Sequence, residues 1–290
     1  MANDTSVQTA CVRTPKFYIW AREALFLDTC YARQEPHRST QEKLILSLKG
    51  SLKVRGKHGR RVDVRSCLLP TGLLHEPSVI DASEAVLAIY YLAPFSQDYA
   101  ALSSLMKAAI PGVYYGHPRE GDAIRACIDV RNQKHVPPAE ARKALRSHLF
   151  PDGIGDGVYR EFDPRVVFVA RRIRESMFEK MPLAQLAAEV QLSESRLEKL
   201  FKEQAGLPIT QYRMRYRVFI STILMALGYS MTDAALYAGF SSSAHLSRVY
   251  RTINGMTPSA VFLRPPYLDP VIDDSAMQLV APLLGKKLAG

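Results

Sequence analysis

The chain has 290 residues, of which 47% are hydrophobic and 23% charged, with a formal net charge of +10 and a pI near 9.5. This length allows one or two domains that each bury a core, and the apolar fraction excludes a chain that is disordered throughout. The basic balance indicates an anionic partner, with nucleic acid ahead of an anionic membrane.

The cysteines and the hydropathy pattern exclude two further classes. The four cysteines (Cys11, Cys30, Cys67 and Cys127) are widely scattered and form no Cys-x-x-Cys pair, which argues against structural zinc and fits reduced thiols. The first ten residues are polar and no apolar run approaches the roughly 18 residues of a membrane span, so no secretion signal and no membrane partner are expected. These features predict a cytoplasmic protein.

The first third of the chain has the pattern of a small β structure. Residues 1–15 are polar and predicted to be frayed, and short strands separated by turns follow from Phe17 to about Leu92. Residues 44–48 are an apolar run, residues 52–55 and 61–65 alternate, and residues 86–92 are strongly apolar. Several short strands at regular spacing predict a sandwich or barrel.

Three helices and a linker are predicted next. Apolar residues recur at helical spacing in Ser96–Ala109, Arg119–Asn132 and Pro137–Leu149. One role open to them is to cover the strands. Residues 150–157 contain three glycines and one proline, which predicts a flexible linker.

A helix–turn–helix pattern begins at Leu183. Residues 183–190 form a short helix with one apolar face, and Ser193 stands where the N-cap of a second helix is expected. Burial of Leu197, Leu200 and Phe201 turns the opposite face outward, with Ser195, Arg196, Lys199 and Lys202. This layout is typical of a DNA-reading unit, although one copy alone is equally compatible with an ordinary helical hairpin.

The same layout occurs a second time. Residues 231–238 form a short helix, Gly239 breaks it, and a helix from Ser242 to about Ile253 follows, exposing Ser243, His245, Ser247, Arg248 and Arg251. Between the copies, about twenty residues from Pro208 to Leu227 predict a helix of roughly 30 Å. Successive major grooves on one side of B-DNA lie about 34 Å apart, so this spacer suits two reader helices in adjacent grooves.

The charge distribution supports this reading. Residues 165–264 contain 14 Lys or Arg and 7 Asp or Glu, so most of the net charge of +10 lies in this third of the chain. Arginine side chains bond guanine edges, which predicts base reading by Arg196 and Arg248, together with Ser195, Lys199, Ser243, His245 and Ser247. Phosphate contacts are predicted for Lys202, Arg213, Arg217 and Arg251.

Residues 164–264 resemble the DNA-binding domain of the AraC/XylS family of bacterial transcription regulators. The resemblance depends on the pattern of Leu186-Ala187, Ser193, Leu197, Leu200-Phe201-Lys202, Gly206 and Tyr212, and of Ala235, Gly239-Phe240, His245-Leu246-Ser247-Arg248, Tyr250-Arg251, Gly255 and Thr257-Pro258. Ala234 and Val261-Phe262 depart from the usual pattern, which has a large aliphatic residue and a Tyr-Arg pair there.

The resemblance implies an α+β fold with two domains. Residues 1–150 would be a cupin-like β-barrel with helices, which binds an effector and forms the homodimer, and residues 151–163 a linker. Residues 164–264 would bind DNA, and residues 265–290 would be a tail whose last helix covers Ala276–Leu288. The implied partners are promoter DNA, RNA polymerase and a small effector, with activation more common than repression and no cofactor. The residues considered for the effector are Tyr31, Arg33, His37, Arg55, His75 and Tyr90.

Two other classes remain open. A cupin-type metal enzyme with an appended DNA-binding module would need a His-x-His pair, which the sequence lacks, leaving only His58, His75 and Glu76 as ligand candidates. No phosphate-binding glycine loop or nucleophile motif is present either, so an enzyme is not expected. A helical domain that binds another protein would lack salt-dependent DNA binding.

Overall fold

The computed structural model describes residues 14–30, 35–56, 59–151, 159–177, 181–263 and 267–284. The predicted frayed start and most of the predicted flexible linker (residues 152–157) therefore lie outside the described residues. What is described forms a sheet-rich N-terminal domain and a helical C-terminal domain, in agreement with the two-domain α+β prediction.

The N-terminal domain is built on an eight-stranded sheet with the order β11-β12-β7-β4-β10-β2-β1-β13, beside smaller sheets β6-β5-β9 and β3-β8. The strands are β1 Lys16–Ile19, β2 Ala24–Cys30, β3 His37–Arg38, β4 Lys43–Lys49, β5 Leu52–Arg55, β6 Arg61–Val64, β7 Ser66–Leu69, β8 Leu74–His75, β9 Ile80–Asp81, β10 Val86–Tyr91, β11 Lys107–Ala108, β12 Tyr114–Tyr115 and β13 Asp269–Ile272.

The predicted cupin-like barrel does not close. Strands β11 and β13 end the large sheet at opposite edges and are not paired with each other in the described part of the chain. Strands β3, β8 and β9 have only two residues each and are hydrogen-bonded into separate small sheets, so no continuous ladder joins the edges. The correct description is therefore an open sheet.

The central strands are buried on both faces, which explains their nearly continuous apolar sequence. In β4, Leu44 and Leu46 pack in one cluster together with the helices, whereas Ile45 packs in a second cluster with β5 and β9. Helices α1 Asp98–Leu105, α2 Glu120–Asn132 and α3 Pro138–Leu149 follow. The inward faces of α2 and α3 contribute Ile124 and Leu145 to the first cluster, so these two helices cover the sheet.

The C-terminal domain consists of α4 Pro164–Glu175, α5 Leu183–Glu189, α6 Glu194–Ala205, α7 Ile209–Ala226, α8 Met231–Tyr237, α9 Ser243–Asn254 and α10 Pro258–Phe262. One core surrounds α4, α5, α6 and the start of α7, and a second surrounds the end of α7, α8 and α9. Helix α7 is thus the spacer that joins two helix–turn–helix units, as predicted.

The described part of the predicted tail, residues 267–284, packs against both domains. Strand β13 pairs in parallel with β1, from Lys16 opposite Asp269 to Ile19 opposite Ile272. Helix α11, Asp274–Leu284, then packs with the second core through Ala276, Val280 and Leu283. The predicted helix Ala276–Leu288 starts two residues earlier than expected, and the strand before it joins the N-terminal sheet. No helix of the described residues is long and apolar enough to cross a membrane.

Candidate nucleic-acid interface

Helix α6, the first reader helix, is fixed by its N-cap. The Ser193 hydroxyl accepts a hydrogen bond from the Arg196 backbone N–H at 3.3 Å, and the helix ends at Gly206 with a φ of 74°. Leu197 and Phe201 are fully buried. The helix therefore presents one exposed polar and basic face, formed by the predicted residues Ser195, Arg196, Lys199 and Lys202.

Helix α9, the second reader helix, repeats this construction. The Ser242 hydroxyl caps it by accepting a hydrogen bond from the His245 N–H at 3.1 Å, and Gly255 ends it with a φ of 69°. Arg248 is exposed, and Ser243, His245 and Ser247 are half-buried on the same side as the turn. The His245 ring packs edge-on against Phe240 at 5.3 Å, and its Nδ1 is 3.0 Å from the Ser241 hydroxyl, which leaves Nε2 for a base edge.

The arginines of the spacer helix occupy two different environments. Arg217 donates from Nη1 to the Gly239 carbonyl in the turn of the second unit, at 3.1 Å, and Arg213 lies one turn before it. Arg215 points elsewhere, toward the N-terminal domain, where burial lowers its pKa. The structure thus separates the two predicted phosphate contacts from the third arginine of the run.

Arg251, a predicted phosphate contact, is paired with the N-terminal domain. Its guanidinium donates to both carboxylate oxygens of Glu35, with 2.8 Å between Nε and Oε2. The Glu35 N–H also donates to the Gly255 carbonyl at 2.8 Å. A Cβ on Gly255 would lie 2.5 Å from Glu35 O and from His37 Nδ1, so only glycine permits this approach. We call this contact the Glu35 clasp.

An interdomain cavity of about 120 Å³ lies beside the clasp, between the N-terminal sheet and helices α7 and α9. Much of its wall is apolar, with Phe17, Phe26, Ile89, Val218, Phe219 and Ile253. Two cationic side chains, Lys43 and Arg215, also line it. Burial lowers the pKa of Lys43 to about 7, and its Nζ lies 5.6 Å from the centre of the Tyr91 ring.

Only some of the residues predicted to bind an effector lie at or near the interdomain cavity. His37 lines the interdomain cavity and stacks on His75, with ring centres 4.8 Å apart. Burial and Lys43 lower the pKa of both imidazoles, to about 4 for His37, so both are neutral at pH 7. Arg55 is exposed on β5 and is not part of the cavity wall, and Tyr31 and Arg33 lie outside the described residues.

Tyr90 belongs to a buried polar network behind the cavity. Its hydroxyl donates to Glu23, and Glu23 accepts two hydrogen bonds from Arg142 at 2.8 and 2.9 Å. Arg146 in turn donates to Tyr90 and to both carboxylate oxygens of Asp98. Glu23 also lines the cavity, so the network connects the cavity to helices α1 and α3.

Lys43, Tyr91 and Arg215 were missed at the sequence level. Lys43 is the first residue of a strand that is apolar up to Lys49 except for Ser47, and it stands directly opposite Tyr91 on β10. A charged residue at the start of a buried strand was the available signal. The sequence provides no signal that α7 would place Arg215 on the same cavity.

The described residues contain no group of three or more His, Cys, Asp or Glu side chains placed to hold a metal ion. His58, one of the three candidate ligands, lies outside them, and His75 is stacked on His37. The structure therefore offers no support for the metal-dependent enzyme.

By sequence, known proteins match less than half of the chain. A family model described as a helix–turn–helix domain matches residues 186–264. The chain is 27% identical over 130 residues to the HTH-type transcriptional activator RhaR of Yersinia pestis bv. Antiqua (strain Angola), over 43% of this chain and 41% of RhaR. It is 30% identical over 95 residues to the probable transcriptional regulator LumQ of Photobacterium leiognathi, over 32% of this chain and 38% of LumQ. The chain thus spans about two fifths of these curated relatives.

Solved structures of ToxT from Vibrio cholerae share the fold over most of the chain. An apo lysine-to-alanine variant from strain SCE256 aligns with a TM-score of 0.55 and 13% identity, over 82% of this chain and 96% of the ToxT chain. ToxT from strain O395 bound to (E)-4-(8-methylnaphthalen-1-yl)but-3-enoic acid aligns with a TM-score of 0.53 and 11% identity, over 86% and 98%. At these identities the comparison shows the fold alone.

Two helix–turn–helix units on one spacer helix, each with an exposed basic reader helix, define a double helix–turn–helix DNA-binding domain. The matched helix–turn–helix model and the regulators RhaR and LumQ show that the chain is similar to transcription regulators of this kind, which confirms the resemblance to the AraC/XylS family.

Proposed function

We propose that the protein is a sequence-specific transcription regulator that binds promoter DNA through both reader helices. The observation that supports this most strongly is the pair of capped helices α6 and α9, with basic exposed faces, at the two ends of α7. A helix of 18 residues is about 27 Å long, close to the groove repeat of B-DNA. The base-reading and phosphate-contacting residues predicted from the sequence complete this proposal.

Footprinting of the full chain on DNA upstream of its own and neighbouring genes tests the proposal. We expect protection of two adjacent major grooves that survives excess nonspecific DNA and weakens steeply with salt. Weak, uniform binding without a footprint would reject a sequence-specific regulator.

The substitution Arg248→Ala tests base reading. Loss of a bidentate guanidinium contact to a base should cost about 1–3 kcal/mol at one base pair and relax specificity there. Binding to operators varied one base pair at a time would reveal it. Lys53→Ala, which removes one exposed positive charge from β5, is the matched control and should leave specificity unchanged. An equal loss on every operator would contradict base reading by Arg248.

We further propose that the interdomain cavity binds a compact apolar carboxylic acid as the effector. Lys43 and Arg215 supply positive charge next to an apolar wall, and Glu23, the one carboxylate among the described residues of the wall, is already bonded to Arg142. One water needs about 10–15 Å³ of such a cavity, so 120 Å³ suits a ligand of about ten non-hydrogen atoms. The acid bound in one ToxT structure supports this ligand class.

A direct test compares cinnamate with cinnamamide, which have the same shape but differ in charge. Calorimetric titration of the full chain should show binding of cinnamate and much weaker binding of the amide. Equal binding of the two compounds, or of neither, would reject the proposed anionic ligand.

The Glu35 clasp is proposed to couple this cavity to DNA binding. It withholds Arg251 from phosphate, and Ile253, Asn254 and Met256, which flank the clasp on α9 and beyond, also line the cavity. A ligand there would therefore alter the position of α9 relative to Glu35.

The substitution Glu35→Gln should tighten DNA binding, because it weakens the competing partner of Arg251. Both side chains are exposed, so the expected gain is modest, roughly two- to fivefold. Glu84→Gln, at another exposed carboxylate of the N-terminal domain, is the control for the change in net charge. The gain should disappear in an Arg251→Ala background. A gain that persists without Arg251 would show that the clasp is not its cause.

The remaining partners are proposed from the family resemblance. RNA polymerase and a second copy of the chain are the expected protein partners, with activation as the expected effect and the bacterial cytoplasm as the location. Helices α2 and α3 present charged outer residues such as Arg125, Asp129 and Lys143 rather than an apolar stripe. A dimer formed through these helices would therefore be a polar and salt-sensitive one.

A further inference from the structure

A second cavity lies inside the helical domain, between the end of α4 and the first half of α7, with a volume of about 280 Å³. On one side its wall is apolar, with Ile173, Met177 and Met181. On the other side Arg213 and Arg217 stand one helical turn apart. Among the described residues that line it, none carries a carboxylate.

Arg213 has an unusual environment for a guanidinium group. Its Nη2 atom is buried and has no hydrogen-bond partner. None of the ion pairs formed by the described residues involves Arg213 or Arg217. A buried donor without an acceptor is unfavourable, and two neighbouring cations without an anion add repulsion. An anion bound between the two arginines would accept a hydrogen bond from the buried donor and would offset the repulsion between the two cations.

The position of the cavity indicates which anion this is. One wall is formed by Met181 and Pro182, which directly precede α5, the first helix of the first helix–turn–helix unit. The other wall includes Arg217, which is bonded to the turn of the second unit at Gly239. In a helix–turn–helix unit the first helix crosses the DNA backbone while the second enters the groove. The cavity therefore lies between the two units, where the backbone between two major grooves has to pass.

We propose that Arg213 and Arg217 form a phosphate pocket that binds one phosphodiester group of the DNA backbone between the two grooves. This inference rests on the proposed DNA-binding function and adds a specific anchoring point to it. Guanidinium groups match the oxygens of a phosphate through paired N–H donors. A phosphate contact carries no base information, so the pocket anchors every operator equally and sets the register of the two reader helices.

The substitution Arg213→Met tests the pocket in the full chain, because methionine replaces the unbranched stem of the side chain and removes the charged guanidinium. Loss of one phosphate contact should reduce the slope of log affinity against log salt by about 0.9. It should weaken binding about eightfold at 0.1 M salt, equally on operators that differ in base sequence. Arg213→Lys should retain most of the slope, and Lys53→Ala, at an exposed lysine of β5, should leave it unchanged.

A stability measurement separates this effect from unfolding. Removal of the Arg213 guanidinium, whose Nη2 is buried without an acceptor among the described residues, should raise the unfolding temperature of the DNA-free chain, so affinity and stability should change in opposite directions. A lower unfolding temperature together with an unchanged salt slope would show that Arg213 is only structural and would overturn the proposal.

A third measurement tests whether the pocket binds a phosphate of DNA or a free anion. Inorganic phosphate, compared with chloride at equal ionic strength, should stabilise the unsubstituted chain more than Arg213→Met, because both arginines accept a free anion as well. If this difference appears while the DNA salt slope stays the same in Arg213→Met, the pocket binds a free anion and the DNA assignment is wrong. A missing footprint with the unsubstituted chain would instead reject the regulator itself, and the DNA assignment with it.

Discussion

The substitution Glu23→Ala should destabilise the folded protein by about 3 kcal/mol, because it removes the carboxylate at the centre of a buried network. The Glu23 side chain is only 8% exposed and accepts hydrogen bonds from Arg142 and Tyr90. Without it, the Tyr90 hydroxyl loses its acceptor in the core. Arg142 is 42% exposed and can be hydrated, which keeps the expected loss at the lower end of the range for broken buried pairs.

Urea unfolding of the full chain at neutral pH measures this loss, with Glu84→Ala as the control at an exposed carboxylate. Tyr90→Phe should cost much less in the Glu23→Ala background than in the unsubstituted chain, because the two side chains share one hydrogen bond. Strictly additive losses would show that the network is not coupled.

The stability lost in Glu23→Ala should depend on pH, in a direction that follows from the pKa of Glu23. Burial by itself raises the pKa of Glu23, but the hydrogen bonds from Arg142 and Tyr90, together with the charges of Arg142 and Arg146, more than offset it and hold the pKa below its ordinary value. A depressed carboxyl pKa stabilises the fold above the unfolded value of about 4.3, and this stabilisation is lost as the pH falls through the folded value. The difference between Glu23→Ala and the unsubstituted chain should therefore shrink in acid.

Features with local causes could be predicted from the sequence. The cap at Ser193 and the starts of both reader helices depend on a few neighbouring residues, and the predicted starts lie within one residue of those observed. The spacer helix α7 was predicted for the same reason, because helical periodicity can be recognised within about twenty residues.

Features that depend on distant pairing could not be predicted. Strand β13 pairs with β1 across more than 250 residues, and its four residues have no pattern that specifies a partner. Closure of a barrel depends on how strands pair at its edges, which strand spacing alone does not determine. The Glu35 clasp and the interdomain cavity likewise require both domains to be in place, so neither Arg251 nor Lys43 could be assigned a partner beforehand.

The substitution Lys43→Met should stabilise the protein at pH 7, by several kcal/mol at most, because it removes a cation from a buried site. The folded pKa of Lys43 is about 7, whereas an exposed lysine has a pKa of about 10.4. Between these values the unfolded chain binds one more proton than the folded chain. The free energy of unfolding of the unsubstituted chain should therefore rise with pH by about 1.4 kcal/mol per unit in this window.

Lys43→Met lacks this titration, so its stability advantage should be largest near pH 7 and disappear as the pH approaches about 10. Urea unfolding at several pH values measures the difference, and Lys53→Met, at an exposed lysine of β5, is the control that should show no such trend. An advantage that stays constant with pH would mean that the gain comes from packing rather than from removal of the charge.

The protonation of Lys43 also determines how strongly the proposed effector binds. A carboxylate ligand needs Lys43 protonated, so binding above about pH 7 must take up one proton, and the affinity for cinnamate should fall up to tenfold per pH unit there. Lys43→Met should bind cinnamate weakly and without this pH dependence. Residual cinnamamide binding should be similar in both proteins, because it depends on the apolar wall. Cinnamate affinity that is constant from about pH 7 to 9 would remove Lys43 from the proposed effector site.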